Sequence, residues 1–207
     1  MMQAKVCLTF DDGLIDQYKW ARLLFNNNIK GTFYINPFSV GNPGCLELKH
    51  LTEMHDEWNH TIANHLWIHE APIISGVGLE LSNKINRGNF EAARDWLVNN
   101  GFQDGSNLLA LPYGSSGGQW TPQHIEELRT MALHVRDYGL KVVNESYKDV
   151  IWNASESHSL EIRDNCLSCY CFHSTKTTED DILINLIEQM IDAEVEFTSI
   201  LEICNVN

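Results

Sequence analysis

The sequence predicts an α/β fold built on a parallel sheet, open or closed into a barrel, in one domain spanning residues 1–207. Three observations predict it. Short β-rich runs alternate with helical runs over most of the 207 residues, the pattern of a parallel sheet with crossover helices. No linker, low-complexity segment or internal repeat divides the chain. The polar clusters DDG, NHLWIH, PYG and FH each fall at or just beyond the end of a strand-like run. In a parallel barrel that end is the rim where chemistry collects.

The elements follow in order. KVCLTF opens as a strand, and IDQYKWARLLFNNN carries helical spacing at Tyr18, Ala21, Leu24 and Phe25 until the Asn cluster stops it. GTFYIN is a second strand, after which Pro37, Gly41 and Pro43 mark a loop. CLELKHLTEMHDEW reads as a helix and NHTIANH as a strand. GLELSNKINRGNFEAARDWLVNNG reads as a long helix closed by Asn-Asn-Gly. NLLALPYG is a strand ending in a Pro turn. TPQHIEELRTMALHVRDYG is predicted as one helix, with Thr121 as N-cap, Pro122 at the first position and Gly139 at the end. LKVVNE, SLEIRD and LSCYCFH are predicted strands. TEDDILINLIEQMIDAE is a helix with an acidic first turn, and FTSILEI is predicted as the last strand.

Composition excludes several classes. The formal net charge is -14 and no cationic stripe is present, so nucleic acid is not an expected partner, and an anionic polymer would be repelled. No run approaches the roughly 18 apolar residues of a membrane span, so no membrane partner is expected. The opening MMQAKVCLTF does not read as a signal peptide, so either a cytoplasmic protein or one whose leader has been removed is expected. Of six cysteines, three lie in CLSCYC as Cys166, Cys169 and Cys171. That spacing lacks the partners of a four-ligand zinc cluster. On a strand, Cys169 and Cys171 would share a face as small buried hydrophobes.

The chemistry concentrates in two places. Asp11 and Asp12 stand side by side at a strand end, where two adjacent anions repel. A divalent cation would offset that repulsion, one Asp ligating and the other remaining a base. His65 and His69, four apart in HLWIH, would stack on one face of a helical turn. Two His and one carboxylate form a three-ligand catalytic zinc set with an open position, and the set also suits iron or cobalt. The recurrence of His55, His60 and His65 at intervals of five matches no regular element.

LTFDDG resembles the first signature of the polysaccharide deacetylases, the NodB-homology carbohydrate esterases of family 4. NHTIANHLWIHE is similar to their second, LALPYG to the third and SCYCFH to the last, and the four stand in the family's order. The resemblance implies a distorted (β/α) barrel of NodB type with fewer than eight regular repeats. It implies metal-dependent hydrolysis of N-acetyl or O-acetyl groups on an amino-sugar-containing glycan or saccharide, with release of acetate. Asp12, His65 and His69 become the metal ligands, for Zn2+ first, with Co2+, Ni2+ or Fe2+ as alternatives. Asp11 becomes the catalytic base, His173 the general acid, and the backbone N–H of Tyr113 an oxyanion donor.

Three departures accompany the resemblance. Leu66 stands where the family has Ser or Thr beside the first His. Ala110 stands where many members have an Arg that orients the base, a role Arg163 could serve from another strand. No clear copy of the Asp- and Trp-bearing fourth signature is present, DVIWNAS being a poor match. Candidate substrate-binding residues are Pro112, Gly114, Trp120, Trp152 and Arg163, with Trp67 and Tyr113 also near the signatures and Trp120 the foremost sugar platform. Two rival functions fit the same residues: a relative acting on a small cyclic amide or ureide, and an inactive sugar-binding domain. Asp11 argues against the first, since such relatives often lack the acidic base. The complete set of Asp11, His173 and the metal triad argues against the second.

Overall fold

Strand alternation decides which residues face the helices and which face the hollow of the sheet. The computed structural model describes residues 5–70, 78–114, 120–137, 150–154, 167–173 and 177–205, with 150–154, 177–180 and 205 described as backbone alone. In β1 (Lys5–Phe10), Val6, Leu8 and Phe10 pack outward in the main core, while Cys7 points into the hollow. β2 (Gly31–Ile35) divides likewise, with Phe33 and Ile35 outward and Tyr34 inward. The outward set is covered by α1 (Gln17–Asn26), α2 (Leu48–Asp56) and α5 (Thr177–Asp192) through residues such as Trp20, Leu51 and Met190. α3 (Leu79–Asn99) and α4 (Pro122–Arg129) cover the strands β3 (Thr61–Asn64), β4 (Leu108–Ala110) and β5 (His134–Arg136).

Every pairing among the described strands is parallel, in the order β5-β4-β3-β2-β1-β7-β6, where β6 is Val150–Ala154 and β7 is Leu167–Phe172. β7 pairs with β1 from Lys5↔Leu167 to Phe10↔Phe172. The opposite edge of β1 is therefore shared: β8 (Glu196–Phe197) takes Lys5 and Val6, and β2 takes Leu8 to Phe10. The sheet curls into a half-barrel, the distorted NodB-type architecture. Its concave face is filled by Cys7, Tyr34, Ala63, Leu108, Ala110, Leu167 and Cys169, closed below by Ile200 and Ile203 of α6 (Ile200–Asn205). Among the described residues no helix is long and apolar enough to cross a membrane.

Two predicted elements are corrected. The helix expected to run to Gly139 stops at Arg129, and His134–Arg136 forms β5 instead. Thr121 and Pro122 start the helix as expected. Beyond Leu133, whose N–H donates to the Asn107 carbonyl, the register Leu108↔His134 to Ala110↔Arg136 recruits the chain into the sheet, so long-range pairing overrides local propensity. FTSILEI, expected as a strand, contributes its first residue, Phe197, to β8 and then turns into α6. The reason is a capping box. The Ser199 N–H donates to Glu202 Oε2 at 2.7 Å, and the Glu202 N–H donates to Ser199 Oγ at 3.2 Å. The strands expected at LKVVNE and SLEIRD lie outside the described residues, as does Cys166.

His60 belongs to the core. Its Nδ1 accepts from the Gly31 N–H at 3.1 Å and its Nε2 contacts the Ala21 carbonyl at 2.8 Å, so β2 and α1 are tied through one neutral ring. Burial holds this imidazole down at about 4, against an ordinary value of about 6.5. A depressed folded value favours folding above the unfolded one, and the benefit is lost as pH falls. The unfolding free energy should therefore drop by about 3 kcal/mol between about pH 6.5 and pH 4 on this account. Urea titrations across that range should show the slope flattened in His60→Gln. Ser199→Ala should lower stability by about 1 kcal/mol through loss of the α6 cap, read by the same titration.

Candidate active site

The C-terminal ends of β1, β3, β4, β5 and β7 meet at one rim, β5 through its last residue, Arg136, and the others through residues that follow them. Asp11 continues the inward set of β1, and its N–H donates to the Phe172 carbonyl at 3.0 Å, extending the β1–β7 ladder by one step. Consecutive strand residues point to opposite faces, so a straight strand would separate the two carboxylates. The backbone breaks at Asp12 (φ 77) and Gly13 (φ 67) instead. A Cβ at position 13 would also sit 3.1 Å from Ile35 Cδ1. The left-handed turn delivers both carboxylates to the same rim.

Asp12, His65 and His69 each offer one ligand atom, all within 4.8 Å of one another. Asp12 Oδ1 is 3.2 Å from His65 Nε2 and 3.1 Å from His69 Nε2. Asp12 Oδ1 and His65 Nε2 are nonetheless buried without a hydrogen-bond partner. His65 Nδ1 is 2.9 Å from the Ala110 carbonyl. A carbonyl only accepts, so Nδ1 carries the proton and Nε2 presents a lone pair, as in metal-ligating histidines. Burial pushes Asp12 up, but the two imidazoles outweigh it and hold the carboxyl well below the usual range. Burial lowers His69 and the Asp12 carboxylate more than offsets this, leaving it raised. A two-nitrogen, one-oxygen donor set with orphaned buried atoms fits a divalent ion.

The 65–69 segment is not the helical turn expected from its spacing; it is an irregular loop. Leu66 is left-handed (φ 65) and fully buried in the cluster that holds Phe90. Two Asn side chains brace the loop where the family hydroxyl is missing. Asn64 Oδ1 accepts from the Leu66 N–H at 2.8 Å, and Asn36 Nδ2 donates to the carbonyls of His65 and Leu66.

Asp11 is 1% exposed and forms an ion pair through Oδ2 with Arg136, which is 3% exposed and packs its guanidinium over Tyr34, 5.0 Å from the ring centroid. Burial raises the Asp11 carboxyl, but Arg136, with His65 and His173 behind it, lowers it further, so the net position is below the usual range. His173 Nε2 lies 3.7 Å from Asp11 Oδ2 and is partly exposed. Gln17, buried in α1, ties the two segments together, its amide Nε2 donating to the Asp11 and His173 carbonyls. Arg136 is the residue that sequence reasoning missed, because it lay inside the over-long predicted helix. Arg163, suggested for its role, lies outside the described residues.

On the fourth side, Tyr113 (φ 62) sits exposed after β4, its ring edge-on to His69 at 4.5 Å between centroids. Trp120 is corrected from a sugar platform to a prop. It is buried, and its indole Nε1 donates to the Pro112 carbonyl at 2.8 Å, fixing the turn that carries Tyr113. Pro112 and Gly114 are buried in that turn and shape it. Trp67 is half-buried in the 65–69 loop, and Trp152 falls in β6, where the backbone alone is described.

The polysaccharide deacetylase family model matches residues 2–141. The chain belongs to the polysaccharide deacetylase family. A comparison with curated proteins finds no match. Solved structures similar to it include the Bc1960 peptidoglycan N-acetylglucosamine deacetylase, at 19% identity and TM-score 0.63 over 97% of this chain and 88% of that one. A family 4 carbohydrate esterase from Bacillus anthracis is 15% identical with TM-score 0.65, covering 100% of this chain and 87% of that one. The chitin deacetylase of Colletotrichum lindemuthianum is 12% identical with TM-score 0.62, covering 98% and 90%. At these identities the likeness establishes the shared deacetylase fold.

Replacing Arg136 tests the ion pair. Arg136→Gln strands a buried carboxylate, which typically costs about 3–5 kcal/mol, read by urea denaturation. Removing the guanidinium should raise the Asp11 carboxyl, so the acid limb of the deacetylase pH profile should move to higher pH, with Arg136→Lys between the two.

Proposed function

We propose that the protein hydrolyses N-acetyl, or O-acetyl, groups on an amino-sugar-containing glycan or saccharide and releases acetate, using a divalent metal, Zn2+ first, held by Asp12, His65 and His69. One observation carries this reading: Asp12 Oδ1 and His65 Nε2 are buried without partners beside His69, one residue from a carboxylate held ionised by Arg136. Similar structures are a peptidoglycan N-acetylglucosamine deacetylase and a chitin deacetylase, and a formal net charge of -14 favours an uncharged glycan such as chitin over a polyanion.

The ion, when bound, supplies Lewis acidity, polarising the acetyl carbonyl and lowering the pKa of water toward about 7. Asp11 accepts the proton of the attacking water, and its charged form is kept ready by Arg136. The Tyr113 N–H donates to the developing oxyanion, a contact of a kind worth about 3–4 kcal/mol. His173 is positioned on the partly exposed side of Asp11 to donate a proton to the departing nitrogen. The amine and acetic acid are released, the acid loses its proton to solvent as acetate, and the proton taken up by Asp11 is returned through solvent to His173, which resets the pair. General acid and base each contribute roughly 10²–10⁴-fold.

The division of labour between the adjacent carboxylates is testable. Asp12→Ala should lose bound metal by elemental analysis and acetate release with it. Asp11→Asn should retain metal and lose turnover by roughly 10²–10⁴-fold on acetylated chitin or peptidoglycan fragments. Equal metal loss in both variants would reject the assignment.

A further inference from the structure

The inward face of β7 carries a donor that the proposed reaction leaves idle. Cys171 pairs in register with Thr9, which stands two residues before Asp11 on the neighbouring strand. His173 follows Cys171 by two residues, just past the end of β7. Residues two apart on a strand share a face, so Cys171 and His173 point the same way. Asp11, Cys171 and His173 each offer one ligand atom, all within 4.8 Å of one another. The cluster is separate from Asp12, His65 and His69 and uses a different residue of the Asp pair. Asp11 keeps an oxygen to spare: Oδ2 pairs with Arg136 and lies 3.7 Å from His173 Nε2, while Oδ1 is buried with no hydrogen-bond partner.

We propose that Asp11, Cys171 and His173 form a second, inhibitory site for a thiophilic divalent cation such as Zn2+ or Cd2+. The donor set is one thiolate, one imidazole and one carboxylate, the combination that zinc accepts in tetrahedral sites and that hard cations such as Mg2+ do not favour. On binding, the cation forms a bond to Sγ and the thiol proton passes to solvent. The partly exposed His173 imidazole gives the cation its way in. Arg136 beside Asp11 keeps the site weaker than the Asp12 triad, since a second cation must share a carboxylate with a guanidinium. Occupancy removes the base and the acid in one event. The inhibition rests on the roles proposed above for Asp11 and His173; the binding does not.

The test uses protein holding one equivalent of Zn2+. Further Zn2+ is added while acetate release is followed, and bound metal is counted by equilibrium dialysis. The wild type should take up a second equivalent and lose activity at least tenfold. Cys171→Ala should keep its starting activity and need at least tenfold more Zn2+ for the same loss, and Cys171→Ser should fall between. With Cd2+, a thiolate-to-metal ultraviolet band should appear in the wild type and in Cys169→Ala and be missing in Cys171→Ala. Equal Zn2+ sensitivity of wild type and Cys171→Ala, or no second ion bound, overturns the proposal. A second ion that needs Cys171 in a protein releasing no acetate from any acetylated glycan upholds the site while rejecting the proposed function.

Discussion

The buried ion pair between Asp11 and Arg136 ties the curl of the sheet to the chemistry at its rim. Their strands are four places apart in the order β5-β4-β3-β2-β1. In a flat sheet that is about 19 Å, at roughly 4.8 Å per strand, farther than one Arg side chain reaches. The contact exists because the sheet bends around Tyr34, whose ring lies under the guanidinium. Each partner without the other would be a buried, uncompensated charge. The curvature that makes a hollow and the electrostatics that keep a carboxylate ionised are therefore one constraint.

Around that pair, the rim is held in conformations a free chain would avoid. Asp12, Leu66 and Tyr113 all have positive φ, and left-handed backbone at a residue other than Gly carries strain that surrounding contacts must offset. Each strained turn has a brace. Gln17 grips the Asp11 and His173 carbonyls, Asn64 and Asn36 hold the Leu66 turn, and Trp120 holds Pro112 ahead of Tyr113. The braces are buried polar or aromatic side chains, most of them on neighbouring segments, so the reacting groups are positioned by the scaffold rather than by their own loops.

Much of this was legible in the sequence. The alternation of Val6, Leu8 and Phe10 with Cys7 and Thr9 announces β1, and the Asp pair, the two His of the 65–69 segment and His173 are placed at strand ends by pattern alone. Arg136 was hidden because β5 is three residues long and follows a well-capped helix; no local periodicity separates HVR from one more helical turn, and only pairing with β4 decides it. The S-x-x-E box at Ser199 was present but masked by the apolar, strand-like run around it. The braces were invisible for a different reason: a buried Asn or Gln reads as an ordinary loop or helix polar residue until the carbonyl it meets is known.

The plug formed by Ile200 and Ile203 beneath the concave face has a consequence for traffic. With Cys7, Tyr34, Leu108 and Leu167 packed against it, the hollow is a dead end among the described residues. Among the described residues the plug leaves no way through at that end, so a group reaching Asp11 comes from the rim, where Tyr113 is exposed and His173 partly exposed. A polymer reaching this site would lie across the rim and lower one substituent toward Asp11 rather than thread past the plug.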